Sequence, residues 1–248
     1  MRATQLKRRL VAHRGFQSRY PENTLMALQK AVDEGLERLE FDIQLTADHI
    51  PVLFHDLDLR RICGEHHKIT ELTRPQLKAF SASEQGRLGD LFEGEEIPDL
   101  ETIIQWASAY PTLSLFVEIK EESIDHFGVE AVLDAVLPVL RPLETRVTVI
   151  SFDAELLAAA RERWGSIGFV TRRWPPSKET LNALRPDVLF VNKRRVSHRQ
   201  HVDQLGIPVV VYEVDTVRRA AQWLKRGAAY LETHCCGDLL TDWSDHYG

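Results

Sequence analysis

Four short stretches near the start of the chain gather residue types that chemistry needs: His13-Arg14-Gly15, Pro21-Glu22-Asn23-Thr24, Glu40-Phe41-Asp42 and His55-Asp56. Apolar runs accompany them: Leu10-Val11-Ala12 before His13, Leu39 and Phe41 around the carboxylates, and Pro51-Val52-Leu53-Phe54 before His55. A polar group at the end of an apolar strand is where an α/β protein displays its reacting atoms. Glu40 and Asp42 stand two apart, so on a strand both side chains point to one face. Two neighbouring carboxylates repel unless a cation joins them, and a hard divalent ion with oxygen ligands is the natural partner. Glu118, in Val117-Glu118-Ile119-Lys120, ends the next barrel strand and offers a third carboxylate. His13 and His55 suit an acid/base pair because imidazole titrates near neutral pH. Arg14 offers a bidentate fork to a phosphate oxygen, or a buried pair with Glu22 that would brace it. Lys120 points the same way as Glu118 and adds a second cation. The set holds what phosphodiester cleavage needs: an acid, a base, anion-binding cations and metal ligands.

These groups need elements that place them together. Short strands are read at Leu10–Ala12, Leu39–Leu45, Leu113–Ile119, Val147–Ser151, Ile167–Val170, Val188–Val191, Val209–Tyr212 and Tyr230–Glu232, each bounded by polar, glycine or proline signals. Helical periodicity falls between them at Thr24–Glu34, Asp99–Tyr110, Val129–Leu140, Ala154–Trp164, Thr180–Leu184, His201–Leu205 and Thr216–Lys225. Asn23 serves as a helix N-cap and Gly35 as a stop, and Thr24 is given no catalytic role. Eight strands alternating with helices over 248 residues fit a (β/α)8 TIM barrel. A doubly wound sheet is the alternative, but only the single Gly15 follows the first strand, where that fold needs a glycine-rich loop.

Two stretches depart from the alternation. Asp56 to Pro98 has few strong apolar periods and reads as an insertion after the second barrel strand, at about 56–98. It lies over the barrel mouth within a single domain of residues 1–248, and a plain surface loop is the competing reading. Only Thr46 to Ile50 separates the second strand from Pro51–Phe54, too few residues for a parallel crossover, so these runs pair as a hairpin. With Leu45 facing Ile50, His55 falls opposite Glu40.

Composition bounds the partners. A net charge of −6 argues against nucleic acid or an acidic membrane as a broad surface partner, though not against a small anionic substrate. Cys63, Cys235 and Cys236 make no disulfide or zinc framework, which suggests reduced thiols in the cytoplasm. The basic N-terminus lacks an apolar signal core, and no run is long enough for a transmembrane segment. His66 and His67, Trp174 and Tyr212, and Lys193-Arg194-Arg195 have weaker claims. The first pair and the basic run read mainly as solvated surface, with substrate-anion contact the minority reading of the basic run. The aromatics read equally as pocket wall or core.

The chain resembles the glycerophosphodiester phosphodiesterase family. The motifs are Ala12-His13-Arg14-Gly15, Pro21-Glu22-Asn23-Thr24, Glu40-x-Asp42, Asp48-x-x-Pro51-Val52-x-x-His55-Asp56, Ile97-Pro98-x-Leu100-Glu101, Glu118-x-Lys120 and Ser151-Phe152. The resemblance spans the chain and is densest from residue 10 to 56. It implies hydrolysis of glycerophosphodiesters, such as glycerophosphocholine or glycerophosphoethanolamine, to glycerol 3-phosphate and an alcohol. It implies a divalent metal ion, Mg2+ or Ca2+, held by Glu40, Asp42 and Glu118. It implies His13 and His55 as the acid/base pair, with Arg14 and Lys120 on the phosphate. The glycerol 2-hydroxyl would act as internal nucleophile through a cyclic phosphate. Tyr212-Glu213-Val214-Asp215 stands where the family has a Trp-Thr-Val-Asn-like strand, and Thr233-His234 replaces a Thr-Asp pair. Glu213 is expected to discourage an anionic leaving group or to bind a cationic one. The alternatives are a lysophospholipase D-like activity on acylated substrates, phosphoinositide-specific phospholipase C-like chemistry, and a phosphate-ester binding protein without turnover.

Overall fold

The computed structural model describes residues 1–247. Nine strands alternate with helices: β1 Leu10–His13, β2 Arg38–Leu45, β3 Pro51–Leu53, β4 Ser114–Ile119, β5 Val147–Ser151, β6 Ile167–Thr171, β7 Val188–Asn192, β8 Val209–Tyr212 and β9 Tyr230–Thr233. Eight of them are parallel neighbours, and β1 pairs with both β2 and β9, which closes a (β/α)8 barrel. β3 stands outside the ring, antiparallel to β2.

Side-chain alternation divides the core in two. Leu39, Phe41, Ile43 and Leu45 of β2 point outward into the layer packed under the helices. A separate cluster fills the barrel: Val11, Phe116, Ile150, Val170, Val188, Phe190 and Val210. Its members on β1, β4, β7 and β8 lie two residues before His13, Glu118, Asn192 and Tyr212, respectively. The period of two therefore turns those four side chains inward at the C-terminal rim, directly above the apolar plug.

The helices follow the apolar spacing. Leu25–Asp33 buries Ala27, Leu28 and Ala31. Its N-cap is Thr24, whose hydroxyl accepts from Ala27 N at 3.1 Å; the expected cap, Asn23, is engaged elsewhere. Gly35 ends the turn at φ +80°, as expected of a C-terminal stop. Outside the 56–98 segment, helices at Ala3–Lys7, Glu121–Phe127 and Cys236–Tyr247 lie where no periodicity was read, while the expected helix 201–205 is only a 3-10 turn at Asp203–Leu205.

The hairpin forms, in a different register. Gln44 faces Val52 and Leu45 faces Pro51, one residue from the expected pairing. The loop is the cause. Thr46 O accepts from His49 N, and the Thr46 hydroxyl accepts from Ile50 N at 2.9 Å. His49 takes the left-handed conformation at φ +60°, so three residues rather than four make the reversal.

Asp56 to Pro98 folds as short helical turns. Leu59, Ile62, Ile69, Leu72, Leu77, Ala82 and Ile97 form a cluster of their own with Val52 and Phe54 of the hairpin arm. The segment is tied to the loop after β1. Glu84 accepts from Glu22 N at 2.8 Å, and Arg87 donates to the carbonyls of Gln17 and Tyr20. No helix among the described residues is long and apolar enough to cross a membrane.

Candidate active site

The register of the first strands brings the predicted residues together. His13 of β1 sits beside Glu40 of β2, and Asp42 of β2 beside Glu118 of β4. Six of the seven predicted residues line one cavity of about 330 Å3: His13, Arg14, Glu40, His55, Glu118 and Lys120. Asp42, the seventh, lies behind them and is 1% exposed.

The turn after β1 is built for this arrangement. Arg14 and Asn23 hold φ +56° and +55°, and Gly15 holds +82°. Such conformations cost energy in non-glycine residues and persist where surrounding contacts over-determine them. Here those contacts are Arg14 N to Glu40 O at 2.9 Å and Asn23 N to Arg14 O at 3.1 Å. A Cβ on Gly15 would lie 2.5 Å from the backbone of Ala27, so the helix can approach only a glycine. Asn23 exchanges two hydrogen bonds with Asp42, Nδ2 to Oδ2 at 2.9 Å and Asp42 N to Oδ1 at 3.1 Å.

The cations are already committed to carboxylates. Arg14 lies 2.8 Å from Glu22 through Nη1 and 3.0 Å from Asp42 through Nε. Lys120 is 2.7 Å from Glu118 and 3.6 Å from Asp42. Of the two expected readings of Arg14, the brace by Glu22 is present, and the side chain still lines the cavity. Burial opposes ionisation of Asp42, but Arg14 and Lys120 hold its carboxyl well below the usual range. Glu22 behaves likewise: against the burial penalty, Arg14 and Arg61 hold it at about 2.

Glu40 is the opposite case. Burial, then the charges of Asp42, Glu232 and Glu118, push it well above the ordinary carboxylate value. Burial raises Glu232 as well, and the like charge of Glu118 adds to the rise. Each of these two carboxylates has a buried Oε1 without a hydrogen-bond partner among the described residues. Such groups call for a cation. Two overlapping sets offer ligand atoms within 4.8 Å of one another: Glu40, Asp42 and Glu118, and His13, Glu40 and Glu232. The oxygen-rich donor set and the orphaned buried oxygens fit a hard divalent ion.

The two histidines sit differently. His13 is half-buried, with Nε2 3.8 Å from Glu40. Burial, then Arg14 and His234, drive its pKa well below that of free imidazole, so it stands neutral. His55 is more open, and its Nδ1 meets Asp56 Oδ1 at 2.6 Å. Arg61 grips the other Asp56 oxygen at 2.7 Å and continues to Glu22. Gln44, inward on β2, donates to the backbone carbonyl of His55 at 3.3 Å. His55 therefore reaches the same cavity as Glu40 despite the shifted register.

Two participants, Glu232 and Arg61, escaped the sequence reading, and His234, read there as a departure at the end of the last strand, proves to be a third. Glu232 points inward from β9, 2% exposed, in a Tyr-Leu-Glu-Thr strand whose alternation would have marked it. His234 stacks on His13. Arg61 arrives from the 56–98 segment. Tyr212 does line the cavity. Trp174 packs instead against the outer core.

Residues 13–234 match the family described as "Glycerophosphoryl diester phosphodiesterase family". The chain is 34% identical over 110 residues to bovine glycerophosphodiester phosphodiesterase 1, covering 44% of this chain and 33% of that protein. It is 29% identical over 150 residues to a glycerophosphodiester phosphodiesterase of Bacillus altitudinis, covering 60% of each. The chain thus spans between a third and three fifths of the length of these relatives. Its fold matches an Oleispira antarctica phosphodiesterase solved with the product sn-glycerol-3-phosphate, with TM-score 0.85, 25% identity, and coverage of 98% of this chain and 99% of that one.

Proposed function

The chain belongs to the glycerophosphoryl diester phosphodiesterase family, and from that premise we propose that it hydrolyses glycerophosphodiesters to glycerol 3-phosphate and an alcohol. One observation carries the reading: a neutral, half-buried histidine, a second histidine on a carboxylate, two cations and a set of unsatisfied carboxylates share one cavity at the C-terminal rim. The relative solved with glycerol 3-phosphate supports the substrate class. Residues 1–248 act as one barrel domain, with segment 56–98 shaping the entrance.

Arg14 and Lys120 face the cavity and bind the phosphoryl oxygens. In this reading neutral His13 takes the proton of the glycerol 2-hydroxyl as that oxygen attacks phosphorus. His55, oriented by Asp56 through Nδ1, gives a proton through Nε2 to the departing alkoxide. The P–O bond to the alcohol breaks and a cyclic phosphate remains. The same two groups in exchanged roles admit water, which opens the ring to glycerol 3-phosphate. Glu40, Asp42 and Glu118 are the residues we assign to Mg2+ or Ca2+. Such an ion would supply Lewis-acid stabilisation of negative charge when bound there.

Release of glycerol 3-phosphate from glycerophosphocholine and glycerophosphoethanolamine, with Mg2+, Ca2+ or EDTA, tests the reading in wild type and His13→Ala. Metal-dependent release that falls about 10²–10⁴-fold in the variant is the expected result. Absence of release with either ion would overturn it. The cavity wall that extends away from these residues is rich in arginine, which favours a water-soluble diester over an acylated one.

A further inference from the structure

The catalytic groups occupy one half of the rim, on β1 to β4 and β9. The other half carries a second cavity of about 440 Å3, lined by Phe152, Arg172, Asn192, Arg194, Arg195 and Tyr212 at the C-terminal ends of β5 to β8. Phe152, Asn192 and Tyr212 also line the catalytic cavity, so the two spaces share walls. We propose that this second cavity is the subsite for the departing alcohol, and that it selects an alcohol bearing a carboxylate or phosphate. The inference rests on the phosphodiesterase reading and names its substrate class.

The charges point one way. Arg194 and Arg195 form no side-chain ion pair among the described residues, and both are exposed to the cavity mouth. Arg172 is held in place by both oxygens of Glu121 and lies 4.3 Å over the Phe152 ring, so its guanidinium plane is fixed at the wall. On a chain of net charge −6, three guanidinium groups around one cavity make a local positive field. Glycerol carries no charge for them to bind, so the variable alcohol is the part of the substrate they can read. Arginine forks suit carboxylate and phosphate alike.

The expectation that Glu213 would favour a cationic alcohol runs against this geometry. The Glu213 carboxylate lies 4.0 Å from Lys193 Nζ, and Lys193 also donates to the Glu213 carbonyl. Its charge is answered locally, on the catalytic side of Tyr212. The three arginines have one carboxylate, Glu121, among them.

The test compares two diesters that differ by one carboxylate, glycerophosphoserine and glycerophosphoethanolamine. Wild type should show kcat/KM about tenfold higher for the serine diester. The ratio should fall toward one in Arg194→Ala/Arg195→Ala, remain raised in Arg194→Lys/Arg195→Lys, and stay at the wild-type value in Arg219→Ala, an exposed arginine outside the site. Calorimetric titration of both diesters into His13→Ala provides a readout independent of turnover, with tighter serine-diester binding expected. Turnover of both diesters at equal kcat/KM would overturn the subsite and leave the phosphodiesterase reading standing. Tighter binding of the serine diester with no turnover by wild type would do the reverse. A lysophosphatidylserine arm separates a lipid headgroup from a free diester as the source of the anion: the subsite as drawn accepts the free diester at the higher rate.

Discussion

The imidazole of His234 is stacked on that of His13, with ring centroids 4.6 Å apart and planes inclined by 30°. His234 is itself held from behind: its backbone N–H donates to Asp215 Oδ1 at 3.0 Å, and its Nδ1 lies 3.3 Å from Asp215 Oδ2. His13 has no hydrogen-bond partner for Nδ1 among the described residues. Its ring orientation therefore depends on packing, and His234 is one face of that packing. Removing the ring in His234→Ala should lower kcat by about tenfold with little change in KM, since a misplaced base loses reactivity more than it loses substrate. His234→Phe restores a flat ring and should recover most of the loss. Equal loss in both variants would show that the imidazole contributes more than packing.

His55 is positioned by a chain of charge rather than by a ring. Asp56 accepts from its Nδ1, and Arg61 pins Asp56 while reaching Glu22. An orienting carboxylate fixes both tautomer and direction of an imidazole. Asp56→Asn should therefore reduce kcat by about 10²-fold while the protein keeps its fold. Steady-state kinetics together with a thermal melt checks this. Full activity in a folded variant would remove Asp56 from the machinery.

The barrel and most of the site were legible because both depend on local order. Strand alternation in Glu40-Phe41-Asp42 places two carboxylates on one face before any tertiary contact is known. The apolar runs before His13 and His55 mark where strands end. What escaped depends on closure. Glu232 lies far along the chain from the dense cluster, and only the pairing of β1 with β9 brings it near His13 and Glu40. Arg61 lies in a segment without strong periodicity, whose small core forms around the hairpin arm. The hairpin register turned on one residue, His49, whose left-handed backbone shortens the loop; nothing in the flanking apolar pattern reports it.

The crowded carboxylates predict a link between metal and stability. Glu40 and Glu232 are buried, unpaired at Oε1 and pushed upward by burial and by neighbouring negative charge. Mg2+ or Ca2+ at about 100 times its dissociation constant should add about 2.7 kcal/mol to stability, read as a rise in Tm over EDTA. Glu118→Gln should weaken that rise. Glu232→Gln should instead raise the Tm in EDTA, because it removes a repelling charge while keeping the shape. A melting temperature indifferent to both ions would show that the carboxylates are satisfied by protonation alone.

Glu22 makes the corresponding prediction for acid. It is 2% exposed and bonded to both Arg14 and Arg61. Burial works against its charge, yet the two guanidinium groups bring its pKa from the ordinary 4.5 down to about 2. A carboxyl with a depressed folded-state pKa contributes stability above its unfolded pKa and loses it as pH falls through the folded one. The contribution should thus be complete at pH 7, decline below about 4.5, and be gone near 2. Glu22→Gln leaves the half-buried Arg14 and the exposed Arg61 short of a partner in place of a buried carboxylate, so it should cost about 3 kcal/mol at neutral pH. Urea unfolding of wild type and variant at steps from pH 7 to pH 3 checks both size and sign. The gap between them should narrow as the solution becomes acid; a gap that stays constant would mean that the loss comes from packing rather than from the carboxylate charge.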